Sequence, residues 1–457
     1  MRLREYLESI KGKTVAVIGI GVSNRPLITL LLDAGIQVTA CDKREREAFG
    51  PLAAELEGKG CRLILGADYL DHLDQDIIFR TPGLHPKFLE KAKERGSEIT
   101  SEMEIFFKVC PCTTIAVTGS DGKTTTTTII SELLKQMGKR VYVGGNIGHP
   151  LLSEAEEMGP EDYAVLELSS FQLMTMSQSP DIAVLTNLAP NHLDVHTDMA
   201  EYVAAKEHIF LHQSGEGKAV FNWDNEITRE LSYKAPGKVY YFTRKSVPER
   251  GVYLRKDQTI CVRDGERERA VLRTSDILLP GVHNVENYMA AIAAVDGLVS
   301  DEVIRRFAKS FGGVEHRIEL VRRLHGVSYY NDAIASSPSR TIACLRSFPE
   351  KIILLAGGKD KGIRYDALGP EINDHVKRLI LCGATAGVIR QAVEQANNYA
   401  GLPITEVADW KIAVETAYRE AKEGDIVVMS PASTSFDRFA NFMEKGKVYK
   451  ELVNALE

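Results

Sequence analysis

Short apolar runs alternate along this chain with longer stretches in which apolar residues recur every three or four positions. In the first hundred residues the runs are TVAVIGIG, QVTACDK, CRLILGA and DIIFRTPG. Continuous apolar runs of this length are typical of strands buried on both faces of a sheet, and the helical periodicity between them supplies the covering helices. The pattern predicts a parallel sheet with helices packed on it.

The same alternation continues through TTIAVTG, RVYVGGN, YAVLELSS, IAVLTNL and KAVFNWD, after which VYYFT, GVYLR and TICVR predict a more antiparallel patch. A third set of strands, KIILLAGG, RLILCGA and IVVMSPA, follows the helix-forming segment LLPGVHNVENYMAAIAAVDGLV. We place boundaries near residue 105 and at the glycines of FGGVEHR near residue 312. The expected fold class is α/β with three domains: a Rossmann-like domain at 1–105, a central domain at 106–312 whose parallel sheet carries extra antiparallel strands, and a Rossmann-like domain at 313–457.

Composition narrows the class of protein. The 457 residues carry a formal net charge of -7, and the sequence has no basic stripe for a nucleic-acid backbone, so we expect no nucleic-acid partner. No apolar run approaches the roughly 18 residues that span a bilayer, and the charged N-terminus lacks the apolar centre of a signal peptide. We therefore expect a cytoplasmic protein that is not inserted in a membrane. We separately expect it to be a monomer.

The seven cysteines are scattered and odd in number, which does not indicate a disulfide framework. Cys110 and Cys112 form a close pair in KVCPC, but no second pair follows at zinc-ligand spacing. We interpret the cysteines as reduced, structural thiols, and the alternative for this pair is a metal or redox role.

The segment VTGSDGKTTTT has the order strand, glycine-containing turn and helix that binds phosphate groups. Backbone N–H groups at the start of the helix attract phosphate, Lys123 adds a positive charge, and the Thr124 hydroxyl stands where it can ligate a nucleotide-bound magnesium ion. The general pattern has a glycine five positions before the Gly-Lys pair, where this chain has Val117. The alternative is an ordinary glycine-rich turn.

Two residues follow later strands of the same series, namely Glu167 in YAVLELSS and His192 in APNHLDVH, and Lys206 lies in the helical segment YVAAKEHIF. Ligands gather at the carboxyl ends of parallel strands, and phosphoryl transfer requires carboxylates and imidazoles that place metal ions. Taken alone, Glu167 can equally be a helix cap, and His192 with His196 can belong to a turn.

The short loop TGSDGKT, together with GGNIG, LELSSFQL, NHLD and AAK in that order, resembles the Mur ligase superfamily of ATP-dependent amide ligases. The sequences GGNIG and LELSSFQL are most similar to those of the members that add D-glutamate to UDP-N-acetylmuramoyl-L-alanine. By this resemblance the ATP-binding loop comprises Gly119, Ser120, Asp121, Gly122, Lys123, Thr124 and Thr125.

The resemblance also implies catalytic roles for Lys123, Glu167, His192 and Lys206. Thr124 and Glu167 are expected to hold one Mg²⁺, His192 a second, and Lys206 to act on the metals as a carbamate. Asn146 of GGNIG is expected to contact the substrate.

In the first domain VIGIGVSNRP carries only Gly19 and Gly21 of a dinucleotide fingerprint, with Asn24 at the third glycine, and Asp42 ends the next strand. In Mur ligases this domain holds the UDP group instead. The residues assigned to UDP by the resemblance are Val22, Ser23 and Asn24 at the diphosphate, Asp42 and Lys43 near the uracil, and Gly83 close by. A turn glycine and a capping aspartate are the simpler reading of the same residues.

The second half of the chain adds further matches to the family. The expected ATP contacts are Asn284 and Asn287 of GVHNVEN, Arg317 of EHR and Asp332 of YNDAIASSP. The expected amino-acid pocket comprises Lys361, Ser435 and Phe442. One departure stands out: many D-glutamate-adding members read Asn-Asp-Ser-Lys-Ala-Thr-Asn where this chain has Ile334 in place of the lysine. The positive partner for the amino-acid carboxylates then has to be another residue, such as Lys361 or Arg340.

These features together predict a ligase that uses ATP and Mg²⁺ to form an acyl phosphate and then an amide, with ADP and phosphate released, during peptidoglycan precursor synthesis. The alternatives with the same chemistry are a sibling ligase that adds another amino acid and a folylpolyglutamate synthetase. The alternatives from other classes are a nicotinamide-dependent oxidoreductase built on GIGVSN and a regulatory phosphate-loop ATPase.

Overall fold

The computed structural model describes residues 1–71, 73–190, 196–360, 363–435 and 438–457. In that part of the chain, helices α1 to α16 are Leu3–Ser9, Arg25–Asp33, Pro51–Gly58, Glu90–Glu94, Glu102–Val109, Lys123–Gln136, Ser170–Leu173, Met199–Leu211, Glu226–Ser232, Val282–Val295, Asp301–Ala308, Pro338–Leu345, Leu368–His375, Ala386–Glu394, Trp410–Glu420 and Phe442–Asn454. Strands β1 to β20 are Thr14–Ile18, Gln37–Asp42, Arg62–Leu65, Ile77–Phe79, Glu98–Thr100, Thr113–Thr118, Val141–Gly145, Tyr163–Glu167, Ile182–Leu185, Lys218–Asn222, Lys238–Thr243, Arg250–Leu254, Thr259–Asp264, Arg267–Arg273, Glu319–Leu324, Val327–Asn331, Ile352–Ala356, Val376–Cys382, Ile404–Val407 and Ile426–Met429.

The first sheet has the strand order β3-β2-β1-β4-β5, and all its pairs are parallel. The chain builds outward from β1 to β3 and then returns to the other side of β1 with β4. The carboxyl ends of β1 and β4 therefore flank the point where the strand order reverses, which is where open α/β sheets bind ligands. The predicted parallel sheet with covering helices is confirmed here.

The second sheet has the order β14-β13-β12-β11-β10-β9-β6-β8-β7. From β7 to β12 every neighbouring pair is parallel, and β12, β13 and β14 pair antiparallel. Strand β6, which leads into the phosphate-binding segment, lies between β8 and β9 inside the parallel part. The extra antiparallel strands are present, but the placement of VYYFT among them is wrong, because β11 pairs parallel with both of its neighbours.

The third sheet has the order β15-β16-β20-β17-β18-β19. Only β15 is antiparallel to its neighbour, and the other pairs are parallel. Apolar side chains cover both faces of this sheet, with Leu354, Leu379 and Val428 on one face and Leu355, Ile380 and Val427 on the other. Burial on both faces explains why these strands have unbroken apolar sequences.

The chain divides into two compact units, each of which is continuous in space but not in sequence. Unit 1 comprises residues 1–274 and 286–305, and unit 2 comprises residues 275–285 and 306–457. The first and second sheets both belong to unit 1, where one apolar core runs from Val15 and Phe79 to Ile105, Leu166 and Phe210. The third sheet belongs to unit 2. Among the described residues, no helix has the length and apolarity that crossing a membrane requires.

Candidate active site

The phosphate-binding segment has the geometry that its sequence predicts. Strand β6 ends at Thr118, the turn follows, and α6 begins at Lys123 with Gly122 as its N-terminal cap. Gly122 has a φ of 78°, and a Cβ there would lie 2.3 Å from Oδ1 of Asn287, so both the backbone conformation and the close neighbour require glycine. The Nζ atom of Lys123 donates hydrogen bonds to the carbonyl oxygens of Gly119 and Ser120, at 2.9 Å each. The lysine thus folds over the loop at the N-terminus of a helix, a position that favours an anion.

The residues after β9 hold this loop in place. The Ser120 hydroxyl donates to the carbonyl oxygen of Ala189 at 2.9 Å and lies 3.0 Å from the hydroxyl of Tyr202. The backbone N–H of Asp121 donates to Oδ1 of Asn187 at 3.0 Å. Ser120 and Asp121 therefore fix the shape of the loop, and the N–H groups at the start of α6 are left to face a ligand.

A chain of hydrogen bonds connects the loop to the next strands of the sheet. The Thr124 hydroxyl donates to Oε2 of Glu167 at 2.7 Å, and the side-chain amide of Asn146 donates to Oε1 of the same carboxylate at 2.7 Å. Glu167 ends β8 and Asn146 directly follows β7, so adjacent parallel strands bring them together. A hydroxyl and a carboxylate next to a phosphate-binding loop are the oxygen ligands that Mg²⁺ prefers, so these residues fit the expected metal.

Lys206 lies beside the same loop and is almost entirely buried, with 1 % of its surface exposed. Its Nζ atom donates to the Thr118 hydroxyl at 2.9 Å and to the Gly119 carbonyl oxygen at 3.0 Å. Burial, reinforced by the nearby charge of Lys123, lowers the pKa of Lys206 well below its ordinary value, and Glu167 opposes this only in part. A lower pKa increases the fraction of the neutral, nucleophilic amine, which is the form that reacts with CO₂.

A cavity of about 630 Å³, including its open mouth, lies in unit 1 where the first sheet meets the second. Val22, Ser23 and Asn24, which follow β1, line it together with Asn146, which follows β7. The structure thus brings three of the residues assigned to the UDP diphosphate into one cavity with the residue assigned to the rest of the substrate. Their side chains differ: Val22 is exposed, whereas Asn24 is buried and donates to the carbonyl oxygen of Ile18 at 2.9 Å.

Asp42, Lys43 and Gly83 are at the same edge of the first sheet but do not line this cavity. The Asp42 carboxylate is buried and accepts hydrogen bonds from the Ile20 N–H at 2.8 Å and from the Arg44 guanidinium at 2.8 and 2.9 Å. Burial raises the pKa of Asp42, but these hydrogen bonds outweigh it and leave the pKa below its ordinary value. Asp42 therefore stays charged and pinned, while Lys43 and Gly83 are exposed.

The two asparagines assigned to adenine are three residues apart on α10. Oδ1 of Asn287 accepts a hydrogen bond from the Thr126 hydroxyl at 3.3 Å, which ties it to the helix of the phosphate-binding loop. The side-chain amide of Asn284 donates to the carbonyl oxygen of Pro280 at 2.7 Å. Thr125 is buried in α6.

In unit 2 the two predicted ATP contacts are neighbours. The buried Asp332 accepts a hydrogen bond from the Ser430 hydroxyl at 2.7 Å and from the Ile318 N–H at 3.3 Å, directly after Arg317. Burial raises the pKa of Asp332 to about 6, against the smaller opposing effects of these hydrogen bonds and of the Arg317 charge. His316 and Ile318, on either side of Arg317, have φ values of 64° and 44°, which residues other than glycine rarely adopt. A strained turn therefore presents Arg317 beside Asp332, and such strain is concentrated at functional sites.

The residues assigned to the amino-acid pocket are partly described. The Ser435 hydroxyl is buried and has no hydrogen-bond partner among the described residues. Phe442 begins α16, and its ring meets that of His316 edge to face at a centroid distance of 6.1 Å. Lys361 lies outside the described residues, as does His192 in unit 1. The guanidinium of Arg340 donates to the carbonyl oxygen of Ile334 at 3.1 Å, so an exposed cation stands beside the position that lacks the family's lysine.

Sequence reasoning missed several residues that border these sites. Tyr202 is one turn before Lys206 on α8, and its ring centroid lies 5.0 Å from the Lys206 Nζ atom. The four-residue spacing on a helix is the feature of the sequence that could have predicted this contact. Arg80 directly follows β4 and lines the cavity. Its buried guanidinium donates to the carbonyl oxygens of Leu84 and Phe171 at 2.9 and 2.8 Å. The sequence gives no signal for Arg80, because an isolated arginine after a strand is more often exposed.

Comparison with known proteins decides the family. The Mur ligase middle domain matches residues 117–295, and the Mur ligase glutamate ligase domain matches residues 316–433. UDP-N-acetylmuramoylalanine–D-glutamate ligase of Acetivibrio thermocellus is 52% identical over 464 aligned positions, which cover 100% of this chain and 99% of that protein. The chain belongs to the Mur ligase family. The corresponding enzyme of Ruminiclostridium cellulolyticum is 48% identical, again over 100% of this chain and 99% of the relative.

Solved structures show the same fold at much lower identity. UDP-N-acetylmuramate-alanine ligase of Thermotoga maritima matches with a TM-score of 0.56 at 17% identity, over 97% of this chain and 99% of that one. A UDP-N-acetylmuramoyl-L-alanyl-D-glutamate–2,6-diaminopimelate ligase matches with a TM-score of 0.57 at 20% identity, over 97% and 92% of the two chains. The mixed α/β fold with parallel sheets is therefore that of the Mur ligases.

Proposed function

We propose that this chain is a cytoplasmic ATP-dependent ligase that joins D-glutamate to UDP-N-acetylmuramoyl-L-alanine in peptidoglycan precursor synthesis. The observation that carries the proposal is the hydrogen-bonded chain from Thr124 through Glu167 to Asn146. It joins the phosphate-binding loop to the wall of the cavity. The groups that would hold the γ-phosphate of ATP are therefore next to those that would hold the acceptor carboxylate. The names of the relatives that match over their full length support this substrate pair.

The proposed reaction activates a carboxylate and then couples it. The carboxylate of UDP-N-acetylmuramoyl-L-alanine attacks the γ-phosphate of ATP, which gives an acyl phosphate and ADP. The amine of D-glutamate attacks the acyl carbon, and the tetrahedral intermediate collapses with loss of phosphate. Since a carboxylate is a poor electrophile at neutral pH, this phosphorylation supplies the leaving group.

The residues of unit 1 would serve this chemistry mainly through charge and position. Lys123 and the N-terminus of α6 offset the negative charge of the phosphates. Thr124 and Glu167 would hold Mg²⁺, which neutralises charge on the transferring phosphoryl group when it is bound. Asn146 orients Glu167 and lines the cavity, so it would position the acceptor carboxylate.

We also propose that Lys206 carries a carbamate. Its unmodified amine lies close to the Lys123 ammonium group, and a metal ion at Thr124 and Glu167 would add a further positive charge near it. Addition of CO₂ to the neutral amine replaces that potential repulsion with a carboxylate-like group. The position of Nζ against Thr118 and Gly119 would direct this group toward the loop.

The domain division at 1–105, 106–312 and 313–457 remains part of the proposal, with one domain for each of the UDP-sugar, ATP and the amino acid. The three sheets support it, since each proposed domain contains one of them. The first two sheets share a core within unit 1, which supports joint binding of the UDP-sugar and the phosphates of ATP.

The deciding experiment measures ADP release with UDP-N-acetylmuramoyl-L-alanine against a panel of D- and L-amino acids. We expect turnover with D-glutamate and none when either co-substrate is omitted. Turnover with a different amino acid would identify a sibling ligase, and turnover with a folate alone would end the proposal. ATP hydrolysis without any acceptor would point to a regulatory ATPase, and binding of NAD rather than the UDP-sugar would point to an oxidoreductase.

A further inference from the structure

The segment that joins α5 to β6 contains two thiols in contact. Cys110 follows the last residue of α5, and Cys112 precedes the first residue of β6, with Pro111 between them. Their sulfur atoms are 3.2 Å apart. A disulfide bond is about 2.05 Å long, so the two sulfur atoms have to approach each other by little more than about 1 Å to form one.

The two thiols have different surroundings. Cys112 is buried, and its sulfur lies 4.0 Å from the sulfur of Met158. Cys110 is only partly buried, whereas the five cysteines elsewhere in the chain are all buried. Cys110 is therefore the thiol that a small oxidant in solution reaches first.

The contact between the two sulfurs also activates Cys110. The hydrogen bond with Cys112 lowers the pKa of Cys110, and this exceeds the opposing effect of burial. The thiolate is the nucleophilic form of cysteine, and redox-sensitive cysteines combine a lowered pKa with solvent access and a nearby resolving thiol. Cys110 has all three properties.

We propose that Cys110 and Cys112 are a redox modification site that closes to a reversible disulfide on exposure to hydrogen peroxide. The Cys110 thiolate attacks one peroxide oxygen, the O–O bond breaks, and protonation of the departing oxygen releases one water, which leaves a sulfenic acid on Cys110. The Cys112 sulfur then attacks the Cys110 sulfur and displaces the second water. The two sulfurs together lose two electrons, the peroxide gains them, and both thiol protons end in water.

The change of shape is confined to a short segment. Thr114, two residues after Cys112, donates from its N–H and from its hydroxyl to the same Asp181 oxygen, at 2.8 Å each. This pin lies between the cysteine pair and the phosphate-binding loop at the other end of β6. Ring closure is therefore absorbed between the end of α5 and Thr114.

The test uses the full chain and one tryptic peptide. Cleavage after Lys108 and Lys123 gives a peptide, 109–123, that contains Cys110, Cys112 and no other cysteine. The reduced protein is treated with hydrogen peroxide, its remaining thiols are alkylated, and the peptide is weighed. We expect an unalkylated peptide lighter by two hydrogens, which returns to the doubly alkylated form after treatment with dithiothreitol, and a loss of two of the seven thiols in the intact protein.

Variants separate this reaction from general oxidation. Cys110→Ala and Cys112→Ala should each abolish the two-hydrogen loss, whereas Cys61→Ala, which removes a buried thiol just before β3, should keep it. Double alkylation of the 109–123 peptide while other cysteines oxidise would overturn the proposal, as would disulfides between chains or oxidation of Cys110 beyond the sulfenic acid in the presence of Cys112. If the alanine variants do not fold, the mass of the wild-type peptide alone decides.

Discussion

Lys206 shows how the surroundings of one residue set its chemistry. Tyr202 covers its amine, Thr118 and Gly119 accept hydrogen bonds from it, and burial favours its neutral form. Another lysine of unit 1, Lys218, is similar in these respects: its Nζ atom lies 4.3 Å from the Tyr240 ring centroid, donates to backbone carbonyls, and burial lowers its pKa to about 8. Lys218 begins β10 and is level with Ile115 near the start of β6, whereas the phosphate-binding loop follows the other end of β6, so Lys218 is a matched control.

We expect Lys206→Ala to lower ligase activity by roughly 100-fold, the upper range for removal of a group that supports a metal site. Added acetate or formate should restore part of the activity, because a small carboxylate can enter the space and replace the carbamate. Lys218→Ala should keep its activity and show no response to acetate. Full activity of Lys206→Ala without any carboxylate would contradict the carbamate.

Arg340 offers a second prediction at this scale, because it stands beside Ile334, where many relatives of this kind have lysine. Arg340→Gln should raise the KM for D-glutamate about tenfold or more, which is the loss of one charged hydrogen bond, and Arg340→Lys should recover part of it. Arg346→Gln is the control, since this arginine flanks the other end of α12 and pairs with Glu371. An unchanged KM for Arg340→Gln would leave Lys361 as the candidate.

Asp332 gives a prediction about pH. Its pKa is about 6 in the folded protein and about 4 in an unfolded chain, so folding favours the protonated form. Asp332 therefore contributes roughly 3 kcal/mol to the free energy of unfolding below pH 4. This contribution disappears as the pH rises through 6. Asp332→Asn should remove this pH dependence. Urea unfolding of the ligand-free protein at a series of pH values measures it, and parallel curves for wild type and variant would refute it.

At the scale of elements, the two glycines that flank helix α6 allow the effect of backbone strain to be compared with the effect on ATP binding. Gly122 precedes the helix with a φ of 78° and Gly138 follows it with a φ of 74°, but a Cβ at Gly138 would meet nothing within 4 Å. An alanine at either site adopts an unfavourable left-handed conformation. Only at Gly122 does it also collide with Asn287.

We therefore expect Gly138→Ala to cost about 1–2 kcal/mol of stability without any change in the KM for ATP. Gly122→Ala should cost more stability and raise that KM, because the loop and Asn287 must both shift. Thermal unfolding and ATP titration of the two variants provide the comparison. Equal KM values would show that the close approach of Asn287 has no part in binding ATP.

The elements that the sequence predicted correctly are those whose apolar pattern is decided by local burial. Strands such as β1, β6 and β17 are buried on both faces and are visible as unbroken apolar runs. Strands β14 and β19 were missed because they are largely exposed or half-buried and carry charged residues. The pairing direction of β11 was wrong because the connection between strands determines it, and the composition of the strand contains no information about that connection.

The candidate site divides in the same way. The loop from Gly119 to Thr124 was predictable because the phosphate-binding geometry needs particular residues at fixed spacing. The hydrogen bond between Asn146 and Glu167 depends on which strands are neighbours. The hydrogen bond between Ser430 and Asp332 likewise depends on β20, which is distant in sequence but pairs with β16. Such partners become visible only when the sheet order is known.

At the scale of the whole molecule, the cavity lies entirely in unit 1, so binding of the UDP-sugar alone should stabilise that unit. At a free concentration of a hundred times its Kd, the UDP-sugar should add about 2.7 kcal/mol to the free energy of unfolding of unit 1. Hydrogen exchange should show new protection in β1, β4 and β7 and none in the third sheet when ATP is absent. Equal protection in both units would place the binding site differently.

The interleaving of the two units has a consequence for synthesis on the ribosome. Residues 275–285 belong to unit 2 but are made before residues 286–305, which complete unit 1. At roughly 5–20 residues per second, the ribosome takes about 1–4 seconds to make residues 286–305 after it has made the first piece of unit 2. A nascent chain that stops between residues 275 and 286 contains the whole phosphate-binding loop but lacks Asn287, the side chain against which Gly122 is packed. Premature termination there should release a fragment that contains the strands of the first two sheets but lacks the contact between Asn287 and the nucleotide loop.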